Sequence, residues 1–273
     1  MGRIIFVIVF LVCSSVNARS NNDSLLHLQL TRTITGSYKN FWVDNLGNFY
    51  TTDNRNQVKK FTGNGDSVGI FNDVKRYGSI TTIDATNPLR LLVYYKDFST
   101  ILLLDRFLNV LTRIDLRTQN LLQISAVAQS YDNKIWLYDD LEARLKKIDD
   151  KGNVLFESAD FRLLFNDVPH PSAIIDNSGQ LYLYDAKTGW YIFDYYGAIK
   201  SKEPFTNWSD VDVHYNQLIG RDSNTIFACL PKQLQCNSIN TNLTLTDFSV
   251  VRFANNKLYA LNKQGIQVYE VSK

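Results

Sequence analysis

The stretch "DNLGNFYTTDNRNQVKKF" (residues 44–61) alternates turn chemistry and strand chemistry twice in succession. Its segments "DNLGN" and "DNRN" are rich in Asp, Asn and Gly, which accept the backbone angles of tight turns. Its segments "FYTT" and "VKKF" contain the aromatic and β-branched residues that favour strands. The stretch therefore predicts short strands joined by tight turns, and whether this unit repeats decides the fold.

The same order of elements recurs along most of the chain. Two close copies of residues 41–68 cover residues 126–155 and 173–199, and three weaker copies cover residues 82–111, 210–230 and 250–271. The positions that follow the second strand of each unit are Asp53, Lys96, Asp140, Asp185, Asp222 and Asn262, at intervals of 37 to 45 residues. A period in this range, with several short strands per unit, is typical of a β-propeller.

Three of the units also carry a family resemblance. They read "VDNLGNFYTTDNRNQVKKFTGNG", "YDNKIWLYDDLEARLKKIDDKGNV" and "IDNSGQLYLYDAKTGWYIFDYYG". They resemble NHL-type repeats and the wider class of six-bladed β-propellers, and the similarity extends over most of the chain. The resemblance implies an all-β fold of six four-stranded antiparallel blades. It does not imply one activity, because such propellers serve as enzymes, sensors and binding platforms.

The sixth unit is one strand short. From Phe248 onward it contains only three strand-like runs. Near the other end of the chain, "LLHLQLTRTI" (residues 25–34) alternates apolar and polar residues as an outer strand would. We expect this segment to complete the last blade and to close the ring without leaving an unpaired edge.

Residues 1–18 have the organisation of a secretory signal peptide. Arg3 precedes an apolar run at residues 4–12, and the small residues Val16 and Ala18 follow before the expected cut. The run is too short to span a bilayer, which needs about 20 residues. Cys13 leaves the alternative of a lipid anchor, although Val12 stands where a small residue is preferred. We expect residues 19–273 to form a single propeller domain, exported to the periplasm, the cell surface or the medium.

Charge and hydropathy limit the partners of the exported chain. Removal of residues 1–18 takes away Arg3 alone and leaves 28 basic against 27 acidic residues. This balance, without clusters of Lys or Arg, predicts no binding to nucleic acid or to anionic membranes. No later apolar run is long enough to form a transmembrane segment.

Two cysteines, Cys229 and Cys236, remain after the cut. In an oxidising compartment an even pair at this short spacing predicts a disulfide. The alternatives are a metal-binding pair or a redox pair. They have less support because the spacing is not C-x-x-C and no His or third Cys lies nearby.

Candidate catalytic groups are scarce. The recurring Asp53, Asp140, Asp185 and Asp222, together with Asp44 and Asp176, are interpreted as carboxylates that hold their own turns. The three histidines, His27, His170 and His214, do not converge on the channel axis in this arrangement, so no zinc site is expected. There is no G-x-S-x-G motif for a nucleophilic serine. The sequence therefore predicts neither a cofactor nor a metal.

A binding surface is the remaining candidate. In a propeller, the connections between blades and the turns after each second strand emerge on one face. In this sequence they carry Arg76, Tyr77, Lys96, Asp97, His170, Trp208 and Arg221. Aromatic residues beside arginine are typical of protein-binding anchors. The alternative is a solvated face with Trp208 packed against a neighbouring blade. The sequons at Asn22, Asn207 and Asn242 matter only in a host that glycosylates them.

These observations predict an exported, non-catalytic binding or scaffold propeller, expected in a bacterial cell envelope and with a protein as its partner. The alternative is a metal-dependent hydrolase or lactonase similar to six-bladed propeller enzymes. An acidic residue at the channel mouth, paired with an Asn, would favour the enzyme. The innermost strands that can be placed from the sequence, such as "FWV" and "VVRF", carry few acids.

Overall fold

Carboxylates in the tight turns set the points where the chain reverses. The structure is a computed structural model that describes residues 24–233 and 236–271. In "DNLGN", Asp44 accepts hydrogen bonds from the backbone N–H groups of Leu46 and Asn48, at 3.0 and 2.8 Å. Asp149 makes the equivalent two bonds in "DDKGN". These carboxylates satisfy the backbone donors of each turn, and the flanking β-prone residues leave it as antiparallel strands.

The strands form six antiparallel blades arranged as a ring. The described chain begins with β1 (Ser24–Leu26) and β2 (Leu28–Thr35). The first blade contains β3 (Asn40–Val43), β4 (Phe49–Thr52), β5 (Val58–Phe61) and β6 (Ser67–Phe71). The second contains β7 (Thr82–Asp84), β8 (Arg90–Tyr95), β9 (Thr100–Asp105) and β10 (Val110–Asp115). The third contains β11 (Ile124–Gln129), β12 (Ile135–Asp139), β13 (Arg144–Ile148) and β14 (Val154–Glu157).

The second half of the chain follows the same plan. The fourth blade contains β15 (Ala173–Asn177), β16 (Gln180–Asp185), β17 (Gly189–Asp194) and β18 (Ile199–Glu203). The fifth contains β19 (Ser209–His214), β20 (Gln217–Asp222), β21 (Thr225–Cys229) and β22 (Cys236–Thr241). The sixth contains β23 (Val250–Ala254), β24 (Lys257–Asn262) and β25 (Gly265–Val271), with β2 as its outer strand. The predicted six-bladed propeller is confirmed.

Helices are short and lie in the connections. They are α1 (Val74–Tyr77) and the 3₁₀ turns Lys96–Phe98, Leu116–Gln119, Phe161–Leu163 and Leu245–Asp247. None of the helices in the described ranges is long and apolar enough to cross a membrane.

The core lies between neighbouring blades. On the third blade, Trp136 and Tyr138 are buried, and the fourth blade presents Leu183 and Phe193 to the same cluster. The connecting Phe161 stacks on Phe193 with ring centroids 5.0 Å apart. Burial of each such side chain contributes about 1.5–3 kcal/mol, so packing between blades stabilises the ring.

Strand β2 completes the sixth blade and closes the ring, as predicted. The segment that was expected to close it is divided between two blades. Strand β2 pairs antiparallel with β25, from Leu28 opposite Val271 to Thr35 opposite Gly265. Strand β1 instead pairs in parallel with β22 and extends the fifth blade. Between them, the side chain of Asn242 accepts a hydrogen bond from Leu28 N at 2.8 Å and donates one to Leu28 O at 3.0 Å. Residues 24–35 therefore join the fifth and sixth blades through hydrogen bonds.

The predicted disulfide is confirmed. Cys229 ends β21, Cys236 begins β22, and their Cα atoms lie 4.3 Å apart as directly opposed residues of the sheet. A disulfide is typical of an oxidising compartment outside the cytoplasm. The expected signal peptide, Cys13 and the sequon at Asn22 lie outside the described residues.

Candidate functional site

A central channel is lined by the innermost strand of every blade and holds a cavity of about 440 Å³. Its charged and amide side chains are Asp84, Gln129, Asp176, Asp210, Asp212 and Arg252. The lining contains four carboxylates, which is more than the few acids expected on the innermost strands from the sequence. Three of them come from β7 and β19, whose repeats are too degraded to be placed as innermost strands from the sequence.

Asp84 joins the second blade to the third. Its Oδ2 accepts a hydrogen bond of 2.6 Å from the backbone N–H of Gln129. Its Oδ1 accepts bonds from the backbone N–H and hydroxyl of Thr86, at 2.9 and 2.6 Å. Both oxygens are therefore engaged by donors of the protein itself.

Asp176 joins the fourth blade to the third. Its Oδ2 accepts hydrogen bonds from Tyr131 N and from the indole of Trp136, at 3.3 and 3.2 Å. Its Oδ1 accepts the hydroxyl proton of Tyr195. Burial and this neighbouring carboxylate raise the pKa of Tyr195. Asp176 is structural, as the sequence predicted, but it secures a neighbouring blade and not its own turn.

Asp210 is paired with Arg221, which belonged to the predicted binding face. Arg221 Nη2 lies 2.8 Å from Asp210 Oδ2, and its Nη1 donates to Leu245 O at 2.8 Å. Arg221 is buried. Burial raises the pKa of Asp210, against the opposing effect of Arg221. The ion pair lies within the fifth blade, and the bond to Leu245 O joins that blade to the connection before the sixth. Together they leave Arg221 little surface for a partner.

The last lining groups are Asp212 and Arg252, and His214 lies beside Asp212 on the same strand. His214 Nε2 lies 3.1 Å from Asp212 Oδ2, and this neighbouring carboxylate raises the pKa of His214 although burial opposes the shift. Arg252 donates from Nε to Phe41 O at 2.6 Å, and its guanidinium lies 5.5 Å from the centre of the Trp42 ring. Burial lowers the pKa of Arg252, with Asp210 and Asp212 opposing. Arg252 therefore joins the sixth blade to the first.

The two aromatic residues of the predicted face are packed inside the fold. Trp208 is only 9% exposed and lies between the parallel rings of Phe205 and Phe227, at centroid distances of 5.2 and 5.6 Å. Tyr77 is buried, with its ring 5.3 Å from that of Tyr95. Trp208 therefore packs against a neighbouring blade, which was the alternative to its role as a binding anchor.

The other predicted residues are exposed and come from different blades and connections. Arg76, Lys96, Asp97 and His170 are all exposed. His170 Nδ1 lies 3.4 Å from Asp140 Oδ1, and the backbone N–H of His170 donates to Asp185 at 2.8 Å. Arg76 lies over the ring of Tyr77. Their role in binding stays a prediction.

The repeated turn carboxylates are largely structural, with one correction. Asp53 and Asp185 each accept a backbone hydrogen bond from the residue two positions on. In the third blade this role belongs to Asp139, which accepts from Leu141 N at 3.0 Å, and not to Asp140. The prediction for Asp140 was wrong by one position because Asp139 and Asp140 are adjacent and chemically identical.

Metal ligation has no support among the described residues. His170 is on a blade connection, and His27 lies between β1 and β2 at the closing seam. In residues 24–233 and 236–271, no three His, Cys, Asp or Glu side chains are grouped in a way that could hold a metal ion. These residues therefore do not fit the metal centre that the hydrolase alternative requires.

The opposite face of the ring was not predicted from the sequence. We call this the turn face: it contains the turns between first and second strands and between third and fourth strands. We call the predicted surface the connection face. Four first-to-second turns each present a large exposed apolar side chain, namely Leu46, Leu89, Tyr131 and Tyr215. These residues stand at different positions within their turns, so no repeated sequence signal indicated them.

Comparison with known proteins supports the fold. No protein-family model matches the sequence, and no curated protein matches it. A streptogramin B lyase structure is similar, with a TM-score of 0.60 and 14% identity over 85% of this chain and 78% of that chain. A catalytically inactive virginiamycin B lyase from Staphylococcus aureus, solved with quinupristin, has a TM-score of 0.59 and 15% identity over 90% of this chain and 88% of that chain.

A third similar structure is the β-propeller domain of Cps50 (Swd1) from Myceliophteria thermophila. It has a TM-score of 0.60 and 8% identity over 90% of this chain and 100% of that chain. At such identities the similarity shows the propeller fold and nothing about activity. Membership of the NHL-type family stays a prediction, and the chain is shown to be a six-bladed β-propeller.

Proposed function

We propose that this chain is an exported, non-catalytic propeller that binds a protein partner through a loop face, in a bacterial cell envelope. The observation that carries the proposal is that the four channel carboxylates already have partners within the protein. General acid–base catalysis needs a group within reach of a substrate proton. Asp84, Asp176 and Asp210 instead hold backbone N–H groups, an indole and an arginine.

Export is supported by two independent features. The order of residues 1–18 is that of a signal peptide. The disulfide between Cys229 and Cys236 is typical of proteins that fold in an oxidising compartment.

The second candidate is a metal-dependent hydrolase or lactonase: the acidic lining of the cavity favours it, and the lack of three grouped metal ligands among the described residues speaks against it. Asp84, Asp176 and Asp212 line a space large enough for a small ligand. That class is expected to pair an acid with an Asn. In this protein the partners of the three acids are the Gln129 backbone for Asp84, the Trp136 indole for Asp176 and His214 for Asp212.

One paired experiment separates the two candidates. The purified mature protein is titrated with Ca²⁺ and Zn²⁺ in a calorimeter, and in parallel it is cross-linked in the native envelope. The binding proposal expects no saturable heat of ion binding and a discrete cross-linked partner. Tight ion binding that Asp84→Asn abolishes, with no cross-linked partner, would establish the enzyme candidate in its place.

A further inference from the structure

The turn face carries an incomplete ring of large apolar side chains beside the channel mouth. Their exposed fractions are 69% for Leu46, 64% for Leu89, 71% for Tyr131 and 90% for Tyr215. Each belongs to the turn that follows an innermost strand, in the first, second, third and fifth blades. Because every innermost strand runs in the same direction through the ring, these turns share one face and lie next to the axis. Several large apolar side chains exposed on one face are a feature of interaction surfaces.

Tyr215 and Tyr131 have local conformations or contacts that do not contribute to the buried core. Tyr215 has a φ of 49°, followed by Asn216 at 61°. The corresponding turn of the fourth blade uses Ser178 and Gly179, which suit this left-handed region better than a bulky aromatic residue. Tyr131 stacks on Tyr195 with ring centroids 4.9 Å apart and an interplanar angle of 11°. Tyr215 is thus exposed at a turn with unfavourable backbone angles, and the ring of Tyr131 is held in place by the ring of Tyr195.

Hydrogen bonds between neighbouring turns make this surface rigid. The side chain of Asn255 donates to Asp44 O at 3.1 Å and so joins the sixth blade to the first. Arg90 donates to Asn133 O at 2.6 Å and joins the second to the third. Asn177 donates to Val213 O at 3.3 Å and joins the fourth to the fifth. A surface fixed before binding loses little conformational entropy on association.

The channel mouth inside the ring is acidic. Asp84 is the last residue of β7, Asp176 the next to last of β15, and Asp212 lies near the end of β19. All three line the cavity; Asp212 is paired with His214, and among the described residues Asp84 and Asp176 form no ion pair with a lysine or an arginine. Among the described lining residues Arg252 on β23 is the one cation, and it donates to Phe41 O, while Arg221 is already paired with Asp210. The potential at the mouth therefore favours a positively charged group.

We propose that the turn face docks a protein partner that places one Lys or Arg side chain in the acidic channel mouth. Apolar residues that flank this cation pack on Leu46, Leu89, Tyr131 and Tyr215. This inference rests on the proposed protein-binding function and adds the surface and the chemistry of the partner. Aromatic anchors around a desolvated polar contact are the arrangement that concentrates binding energy in protein interfaces.

Two synthetic peptides test the chemistry. The first is acetyl-Trp-Gly-Lys-Gly-Leu-amide, and the second has Glu in place of Lys. Each is titrated into the ¹⁵N-labelled mature protein and followed by NMR at low and at high salt. The lysine peptide should shift the amides of the four turns, bind about tenfold or more tightly than the glutamate peptide, and weaken as salt rises.

Substitutions test the surface. Tyr215→Ser and Tyr131→Ser should each weaken binding of the lysine peptide by about tenfold. The matched controls are Leu163→Ser on the connection face and Tyr196→Ser in an outer turn of the turn face, which are 83% and 88% exposed. Both controls should bind as the unmodified protein does. Unchanged amide and far-ultraviolet dichroism spectra establish that each variant is folded.

Several results would overturn the inference. They are equal binding of the two peptides, no binding of either, shifts confined to the connection face, or no effect of Tyr215→Ser. A concentration-dependent dimer that Tyr215→Ser dissociates would assign the surface to a second copy of this chain. Capture of a native partner that is lost with His170→Ala but unchanged with Tyr215→Ser would reject this docking surface and leave the protein-binding function standing.

Discussion

Removal of the closing strand should abolish the cooperative folding of the propeller. A chain that starts at Gly36 lacks β1 and β2 and leaves β25 as an unpaired edge. Seven residues of β2 have partners on β25. At about 1 kcal/mol for each hydrogen bond lost, the ladder alone accounts for several kcal/mol.

The side chains of the closing segment add to this cost. Leu28 is buried in a cluster with Phe248, Leu258 and Tyr269, and its loss removes about 2 kcal/mol more. The bonds between Leu28 and Asn242 disappear as well. The sum approaches the whole stability of a typical domain, which is about 5–15 kcal/mol.

Thermal unfolding followed by circular dichroism and calorimetry measures the effect. The matched control is a chain that starts at Ser24, which keeps both strands and should unfold in the same single transition as the mature protein. The chain that starts at Gly36 should show no cooperative transition, or one at a much lower temperature. An unchanged transition for that chain would refute the assignment of β2 as the closing strand.

Three further predictions concern the remaining structural contacts. Replacement of both Cys229 and Cys236 by Ser should lower the free energy of unfolding by about 2–3 kcal/mol, measured by urea denaturation; an unchanged midpoint would contradict a stabilising role. Arg221→Met should cost about 3–5 kcal/mol because it leaves Asp210 buried without its cation, and addition of Asp210→Leu should recover part of that loss. The raised pKa of His214 means that protonated His214 stabilises the fold. This contribution is complete below its unfolded pKa of about 6.5 and is lost as the pH rises through the folded value. His214→Gln should therefore flatten the dependence of stability on pH above 6, and an identical profile for the variant would contradict this.

Periodic features of the fold were predictable from the sequence because turns and strands are encoded locally. The Asp/Asn/Gly turns, the aromatic strands and the unpaired sixth unit together predicted six blades and a closing N-terminal strand. The division of residues 24–35 between two blades was not predictable, since it depends on Asn242, which is distant in sequence.

Site residues were harder to predict because exposure depends on packing between blades. Trp208 and Arg221 lie at loop positions in the sequence, yet the structure buries one between Phe205 and Phe227 and pairs the other with Asp210. Conversely, Tyr131 and Tyr215 read as ordinary turn or strand residues. Their exposure becomes evident only when the equivalent turns of different blades are brought onto one face.

The central claim, that a loop face binds a protein partner, is tested most directly by photo-crosslinking in the native envelope. A photoreactive phenylalanine analogue is placed singly at Tyr215, Tyr131, His170 and Leu163, which samples both faces. Protein binding predicts a discrete heavier adduct from one face and none from the other, and the docking proposal expects it at Tyr215 and Tyr131. The absence of an adduct at all four positions, with the protein folded and exported, would contradict the account.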